Sequence, residues 1–150
     1  MIRRAGIGDY EVIMEMMINF ANAAPFSAFH NPQYNVNYIT NLITGFMKKG
    51  VILIAEKDDK PLGMLVAGIS PDPWLPHVQI LREYAWWVEP EARNTTLGYK
   101  LLVEYVKFGK KLKEKGIIEA FTLTNMVESP DFDLQKRGWR EVETNYVYEG

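Results

Sequence analysis

The sequence predicts an α/β protein of the α+β kind, with a mixed, mostly antiparallel sheet and helices packed on it. Three observations predict this. Apolar residues recur at helical spacing in four stretches, 9–22, 37–47, 97–112 and 130–137. Six other stretches, 1–5, 51–56, 62–69, 78–88, 117–124 and 142–148, read as strands. Their order is strand, helix, helix, three strands, helix, strand, helix, strand. That order combines a β-meander with a single strand-helix-strand crossover, the connection that makes parallel neighbours. The 150 residues, 47% of them hydrophobic, suit a single domain, 1–150, with a substantial core.

Each element has its own signal. Met1 to Ala5 reads as a short strand, Gly6-Ile7-Gly8 as a turn and Asp9 as a helix N-cap. Val12, Ile13, Met16, Met17 and Phe20 then share a helical face, with the methionines as core filler. From Ala23 to Val36 the pattern breaks, with Pro25, Asn31 and Pro32 among Phe26, Phe29, His30 and Tyr34. Aromatics in a loop need something to cover: they seal the core beneath two helices, or they line a pocket. Ile39, Leu42, Ile43, Phe46 and Met47 mark a second helix, with Asn37 as its cap and Gly50 as its stop. VILIAE (51–56) reads as a buried strand, Asp58-Asp59-Lys60 as a turn and 62–69 as the return strand of a hairpin. Three prolines in SPDPWLPH (70–77) make a loop in which Trp74 is an anchor or part of a binding surface. The strand 78–88 then runs straight towards a helix whose face carries Leu97, Leu101, Tyr105, Phe108 and Leu112. Gly116 stops that helix after a run of lysines. The strand 117–124, the short helix 130–137 ended by Gly138 and a last strand 142–148 complete the chain.

Composition removes several functions. A formal net charge of −2 and a pI near 5.7 provide no field that would draw the whole protein to nucleic acid or an acidic membrane. Lys107, Lys110, Lys111, Lys113 and Lys115 read as a solvated helical face rather than a nucleic-acid patch. Without cysteine there is no disulfide framework, thiolate metal site or cysteine nucleophile. With only His30 and His77, a multi-histidine metal site is not expected. The N-terminus lacks a signal-like apolar run, and no stretch approaches the ~20 apolar residues of a membrane span. A soluble, cytoplasmic protein is therefore expected.

The strand 78–88 feeding the helix at 97 is the most informative stretch. A strand that runs into a helix presents the helix's first N–H groups to whatever lies in front, and such a site attracts phosphate. The sequence here is Val88-Glu89-Pro90-Glu91-Ala92-Arg93-Asn94-Thr95-Thr96-Leu97-Gly98-Tyr99. It resembles the signature of the GNAT superfamily of N-acetyltransferases, a strand ending in Val-x-Pro followed by a turn of the form R/Q-x-x-G-x-G/A. The Val, Pro, Arg and second glycine match, while Thr96 stands in place of the first glycine. The opening Ile2-Arg3-Arg4-Ala5 with Asp9, the hairpin at Pro61-Leu62-Gly63 and the closing FDLQKRGW (132–139) extend the resemblance over nearly the whole chain.

The resemblance implies a twisted sheet of about six or seven strands with about four helices on both faces. It also implies acetyl-coenzyme A as the acetyl donor and an amine of a small molecule or peptide as the acceptor, without metal. The pyrophosphate would lie on the turn formed by Arg93, Asn94, Thr95, Thr96, Leu97, Gly98 and Tyr99. The pantetheine arm would pair with the strand end at Trp86, Trp87 and Val88. Neighbouring tryptophans point to opposite faces of a strand, so one is core and the other is free to touch cofactor or acceptor. Gly98 costs roughly 1 kcal/mol relative to Ala inside a helix, which close approach to a ligand would explain. The Thr96 hydroxyl could bond a phosphate oxygen, or its bulk could narrow the cradle. Asn125 stands near where the family often places an Asn by the cofactor.

By the same resemblance Glu83 is the candidate general base, against the plainer reading of an exposed or ion-paired glutamate. The family's usual acid, a Tyr four residues before the closing glycine, is Leu134 here. That leaves Tyr146 or Tyr148 on the last strand, or solvent, to protonate the thiolate. Without cysteine an acyl-enzyme has no nucleophilic thiol, which favours direct transfer. Phe26, Phe29, His30 and Tyr34 are the candidate acceptor-binding residues. Exposed aromatics on the last strands would fit a homodimer. The departures at Thr96 and Leu134 motivate a second reading, a catalytically weak or inactive member that binds acyl-coenzyme A or a protein partner.

Overall fold

A computed structural model describes residues 1–150 apart from Asn31, Pro32, Glu128 and the Phe29 side chain. In chain order its elements are β1 (Ile2–Arg4), α1 (Tyr10–Ala23), α2 (Val36–Lys48), β2 (Gly50–Lys57), β3 (Lys60–Pro71), β4 (Gln79–Val88), α3 (Leu97–Glu114) and β5 (Ala120–Thr122). Short 3-10 turns lie at Ile7–Asp9, Ser27–Phe29, Pro90–Ala92 and Gln135–Arg137. The strands form a mixed sheet in the order β1-β2-β3-β4-β5, antiparallel throughout except for the parallel pair β4–β5.

The helices cover both faces. On one, Ile13 and Met16 of α1 and Ile39 and Ile43 of α2 bury against Ile52, Ile54, Met64 and Val66. On the other, Leu97, Leu101 and Tyr105 of α3 pack on Val51, Leu53, Leu65 and Leu81. β2 and β3 are buried on both sides, which is why VILIAE reads as a continuous apolar run rather than an alternation.

Local chemistry differs from expectation at the helix ends. Asp9 is the N-cap residue of α1 as expected, but its side chain makes no capping bond to the helix; it accepts from Nη1 and Nη2 of Arg3, at 2.7 and 2.8 Å, and from the Gly6 N–H. A charged partner within reach outcompetes a neutral backbone N–H. Asn35, not Asn37, caps α2, accepting the Tyr38 N–H at 3.0 Å. Asp58 and Asp59 form the β2–β3 turn with φ of 52° and 60°, a left-handed pair that matches strand twist. Gly50 opens β2 where a Cβ would lie 2.1 Å from the Ala67 carbonyl oxygen, so only glycine fits. Gly116, with φ of 70°, ends α3 as its position predicts.

The larger corrections lie at the C-terminal end. Among the described residues there are five strands and three α-helices, not six and four. The expected helix at 130–137 is one 3-10 turn, and the strand 117–124 shrinks to three residues. The expected last strand, 142–148, has no partner among the described residues: Val142, Tyr146 and Tyr148 are 68, 93 and 94% exposed. Alternating apolar residues make half of a strand's case; the other half is a ladder partner with a face to bury. Trp74 is 87% exposed, so it does not anchor its loop; Asp72 does, accepting the N–H groups of Trp74 and Leu75. Among the described residues no helix is long and apolar enough to cross a membrane.

Candidate active site

The site begins where β4 and β5 part. They pair from Ile80 with Ala120 to Arg82 with Thr122. β4 then runs on to Val88 with no strand beside it on that edge among the described residues. Past the last pair, the Thr124 N–H turns to the Glu83 side chain and donates to Oε2 at 2.8 Å. From the other side the Tyr105 hydroxyl, fully buried on α3, donates to the Thr122 carbonyl at 2.6 Å. The two strands are thus braced at their point of separation.

Glu83 is 8% exposed and among the described residues has no cation in salt-bridge reach, so it is not an ion-paired surface glutamate. Burial pushes its carboxyl up to about 7, and the Thr124 N–H pulls the other way. A carboxyl half-ionised near neutrality can both accept and return a proton. Burial, reinforced by the charge of Glu83, holds the Tyr105 phenol well above its ordinary range, so it stays a neutral donor.

A bulge in β4 decides which side chains face which layer. Val66 pairs with Ala85 but Ala67 pairs with Glu83, so Tyr84 is an extra residue. Leu81, Trp86 and Val88 therefore pack towards α3, while Ala85 and Trp87 pack towards α1 and α2. Tyr84 itself leans on Phe46 of α2, ring centroids 5.2 Å apart. The two tryptophans do point to opposite faces. Trp87 is core, edge-on to Phe20 at 6.3 Å and covered by the Arg93 guanidinium at 4.6 Å. Trp86 is half-buried and stacks on Phe132, centroids 4.8 Å apart.

The turn into α3 is held by its own side chains. Arg93 Nε donates to the Val88 carbonyl at 3.0 Å, and Thr95 Oγ1 donates to Ala92 at 2.6 Å and accepts from Leu97 N. Thr96 is the N-cap residue, and its hydroxyl makes no capping bond. The first helical bond runs from Lys100 N to Thr96 O, and among the described residues the N–H groups of Gly98 and Tyr99 meet no acceptor. Asn94 is exposed. A 450 Å³ cavity lies between Thr95, Thr96 and Lys100 on this side and Lys57, Asp58 and Asp59 of the β2–β3 turn. The turn thus has the open N–H groups, the absent side chain at Gly98 and the nearby cation that a phosphate group requires.

Other expected site residues are placed unevenly. Asn125 is exposed just beyond Thr124. Tyr146 is too exposed, on a tail without a ladder, to be held against Glu83. In the loop 24–35, His30 Nε2 bonds the Ala24 carbonyl at 2.8 Å, a structural contact. Tyr34 packs at the edge of the α1–α2 core, with a buried hydroxyl that has no partner among the described residues and is raised by burial. Phe26 is half-buried; the Phe29 side chain, with Asn31 and Pro32, lies outside the described residues. Sequence reasoning missed Tyr105, Thr124, Phe132 and Arg137. Tyr105 reads only as one apolar position on a helical face, Thr124 as the end of a strand, and Phe132 and Arg137 as members of a short helix, none of them marked as facing β4. Among the described residues no cluster of three His, Cys, Asp or Glu could hold a metal ion.

An open β4 edge, a buried carboxyl beside it and an anion-receptive helix start define an acyl-transfer type of α/β fold. The family model described as Acetyltransferase (GNAT) family matches residues 14–131, and the chain belongs to that family of acetyltransferases. No curated protein matches the chain. Solved structures are similar over nearly full length. A Trypanosoma brucei acetyltransferase superposes with a TM-score of 0.70 at 17% identity, over 99% of this chain and 98% of that one. The ribosomal-protein-alanine N-acetyltransferase of Brucella melitensis biovar Abortus gives 0.67 at 14%, over 100% and 99%. An aminoglycoside acetyltransferase from an uncultured soil metagenomic sample, solved with sisomicin, gives 0.67 at 16%, over 99% and 94%. Identities this low speak for the fold alone.

Proposed function

We propose that the protein transfers an acetyl group from acetyl-coenzyme A directly to a primary amine of a small molecule or peptide. The observation that carries the reading is Glu83, a buried carboxyl with its pKa near 7 where β4 and β5 part. Acetyl-coenzyme A supplies an activated thioester. Its pyrophosphate is received by the open N–H groups of Gly98 and Tyr99, with Leu97, Thr95, Asn94 and Arg93 shaping the turn. Thr96 contributes a free hydroxyl there. The backbone of Trp86, Trp87 and Val88 offers the edge for the pantetheine arm; the Trp87 side chain is committed to the core. Glu83 takes the proton that an ammonium acceptor must lose before attack, directly or through one water.

The acceptor enters from the loop 24–35, where Phe26, Phe29, His30 and Tyr34 are the lining candidates. The orphaned Tyr34 hydroxyl is the polar group there with a bond still to make. Two of the structural neighbours carry names with unlike acceptors, a ribosomal protein alanine and an aminoglycoside, so only an amine panel selects between peptide and small molecule. The chain acts as a single cytoplasmic domain without metal, and Val142, Tyr146 and Tyr148 of its exposed tail suit a homodimer contact.

The test is thiol release with a panel of amines, alongside a thermal shift with acetyl-coenzyme A. Saturable release that Glu83→Gln abolishes, with the shift retained, supports the reading; an unchanged melting temperature at saturating cofactor removes it. One observation favours a second reading, a member that binds acyl-coenzyme A without turnover: among the described residues no tyrosine hydroxyl at the site is free to donate to a thiolate, with Tyr105 donating to the Thr122 carbonyl, Leu134 at the family's acid position and Tyr146 in solvent. Binding without release across the panel selects it.

A further inference from the structure

We propose that residues 131–137 form a strap that closes over the cleft between β4 and α3 and must lift for the coenzyme arm to enter. This rests on the acetyl-coenzyme A site proposed above. The open edge of β4 faces the first turn of α3, and Phe132 fills the space between them. Its ring stacks on Trp86 at 4.8 Å, and its Cζ lies 3.4 Å from where a Gly98 side chain would begin. Any chain that passes between β4 and Gly98 displaces that ring.

The strap is built to move as a piece. Within it Arg137 N donates to Leu134 O and Asp133 N to the Asp131 side chain, and at its end Gly138 N donates to Gln135 O and Trp139 N to Leu134 O. Among the described residues its backbone donates nothing to the sheet or to α3. Side chains alone close it. Arg137 Nη1 donates to the Tyr99 hydroxyl at 3.1 Å, its guanidinium lies 4.6 Å over the Tyr99 ring, and its Nε holds the Phe132 carbonyl at 2.7 Å. One arginine therefore latches the strap to the first turn of α3 and fixes the residue that carries the plug.

The strap's far end is fixed. Trp139 stands edge-on to Phe121 of β5 at 5.4 Å, and Phe121 packs so tightly on Gly109 of α3 that a Cβ there would come within 2.6 Å. Between fixed end and strap stands Gly138, with φ of 91° and open space where a side chain would be. Rotation about that residue, with release of the bonds from Gly138 N to Gln135 O and from Trp139 N to Leu134 O, swings 131–137 while the Trp139 ring stays.

Stopped-flow tryptophan fluorescence of acetyl-coenzyme A binding tests this, comparing wild type with Phe132→Ala and Arg137→Gln. Removing the plug or the latch should speed association and tighten Kd about 2- to 10-fold, the factor one aromatic stack represents. Binding by Phe132→Ala but not by wild type also supports the strap. Equal rates in all three proteins overturn the strap and leave the coenzyme site standing. Weaker binding by both variants overturns it too, since the segment then serves as a wall. Absence of binding by all three overturns it together with the function on which it rests. Should Phe132→Ala fail to fold by circular dichroism, Arg137→Gln decides alone.

Discussion

Glu83 carries two separate consequences of one burial. Its folded pKa, near 7, stands above the ordinary 4.5, so its protonated form fits the fold better than its charged form. The sign follows: this contribution is fully present below about pH 4.5 and is lost as pH rises through 7, about 3 kcal/mol in all. Urea denaturation of wild type and Glu83→Gln across that window should converge at the acid end, with the variant the more stable at about pH 8. The same group should set the rising limb of kcat/KM near pH 7, and Glu83→Gln should lower kcat about 10²- to 10⁴-fold. Asp9 runs the opposite way: the hydrogen bonds from Arg3 hold it below the ordinary carboxylate range, so its stabilisation is lost as pH falls. A Gly98→Trp substitution should abolish the thermal shift with acetyl-coenzyme A, because a ring there occupies the space between Val88 and Phe132.

At the scale of elements, the C-terminal tail separates pattern from structure. Residues 142–148 alternate enough to read as a strand, yet among the described residues nothing pairs with them, and the Ser27 N–H and hydroxyl donate to the Glu149 carboxylate of this tail at the surface. Deleting 141–150 should change the unfolding free energy by less than ~1 kcal/mol, measured by chemical denaturation. A sixth paired strand would not survive that test. The β4 bulge is the contrasting case, a single extra residue with consequences for a whole element. A strict period of two groups Leu81 and Glu83 with Trp87; the extra Tyr84 instead places Leu81 and Trp86 in one layer and Trp87 in the other.

For the whole molecule, two cores on one sheet share the stability, and Leu101 lies at the centre of the α3 side with no exposure. Leu101→Ala should cost about 2–5 kcal/mol in denaturation, since the neighbouring strands cannot close the cavity without breaking ladders. Acetyl-coenzyme A at a hundred times its Kd should add about 2.7 kcal/mol to the native state. That increment, lost in Gly98→Trp and kept in Glu83→Gln, separates binding from chemistry at the level of the intact protein.

The sequence by itself determined the class of fold, the three principal helices and the meander of β2, β3 and β4, because their signals are local. Apolar residues at helical spacing from Val12 to Phe20 or Leu97 to Leu112, and an uninterrupted VILIAE, hold in any context that offers a core. It also singled out the turn from Arg93 to Tyr99, since Val-x-Pro, Arg and Gly98 lie within a dozen residues of one another. Only the tertiary structure decided what depends on partners distant in the chain. The Asp9 side chain at the start of α1 went to an ion pair with Arg3 of β1, the last strand found no partner among the described residues, and the bulge reset the faces of β4. Tyr105, Thr124 and Phe132 joined the site because β5 and the chain after it return to β4, a pairing with a separation of about 40 residues. Local spacing encodes what a segment can become, and the free energy of non-local pairing and burial selects which of those possibilities is realised.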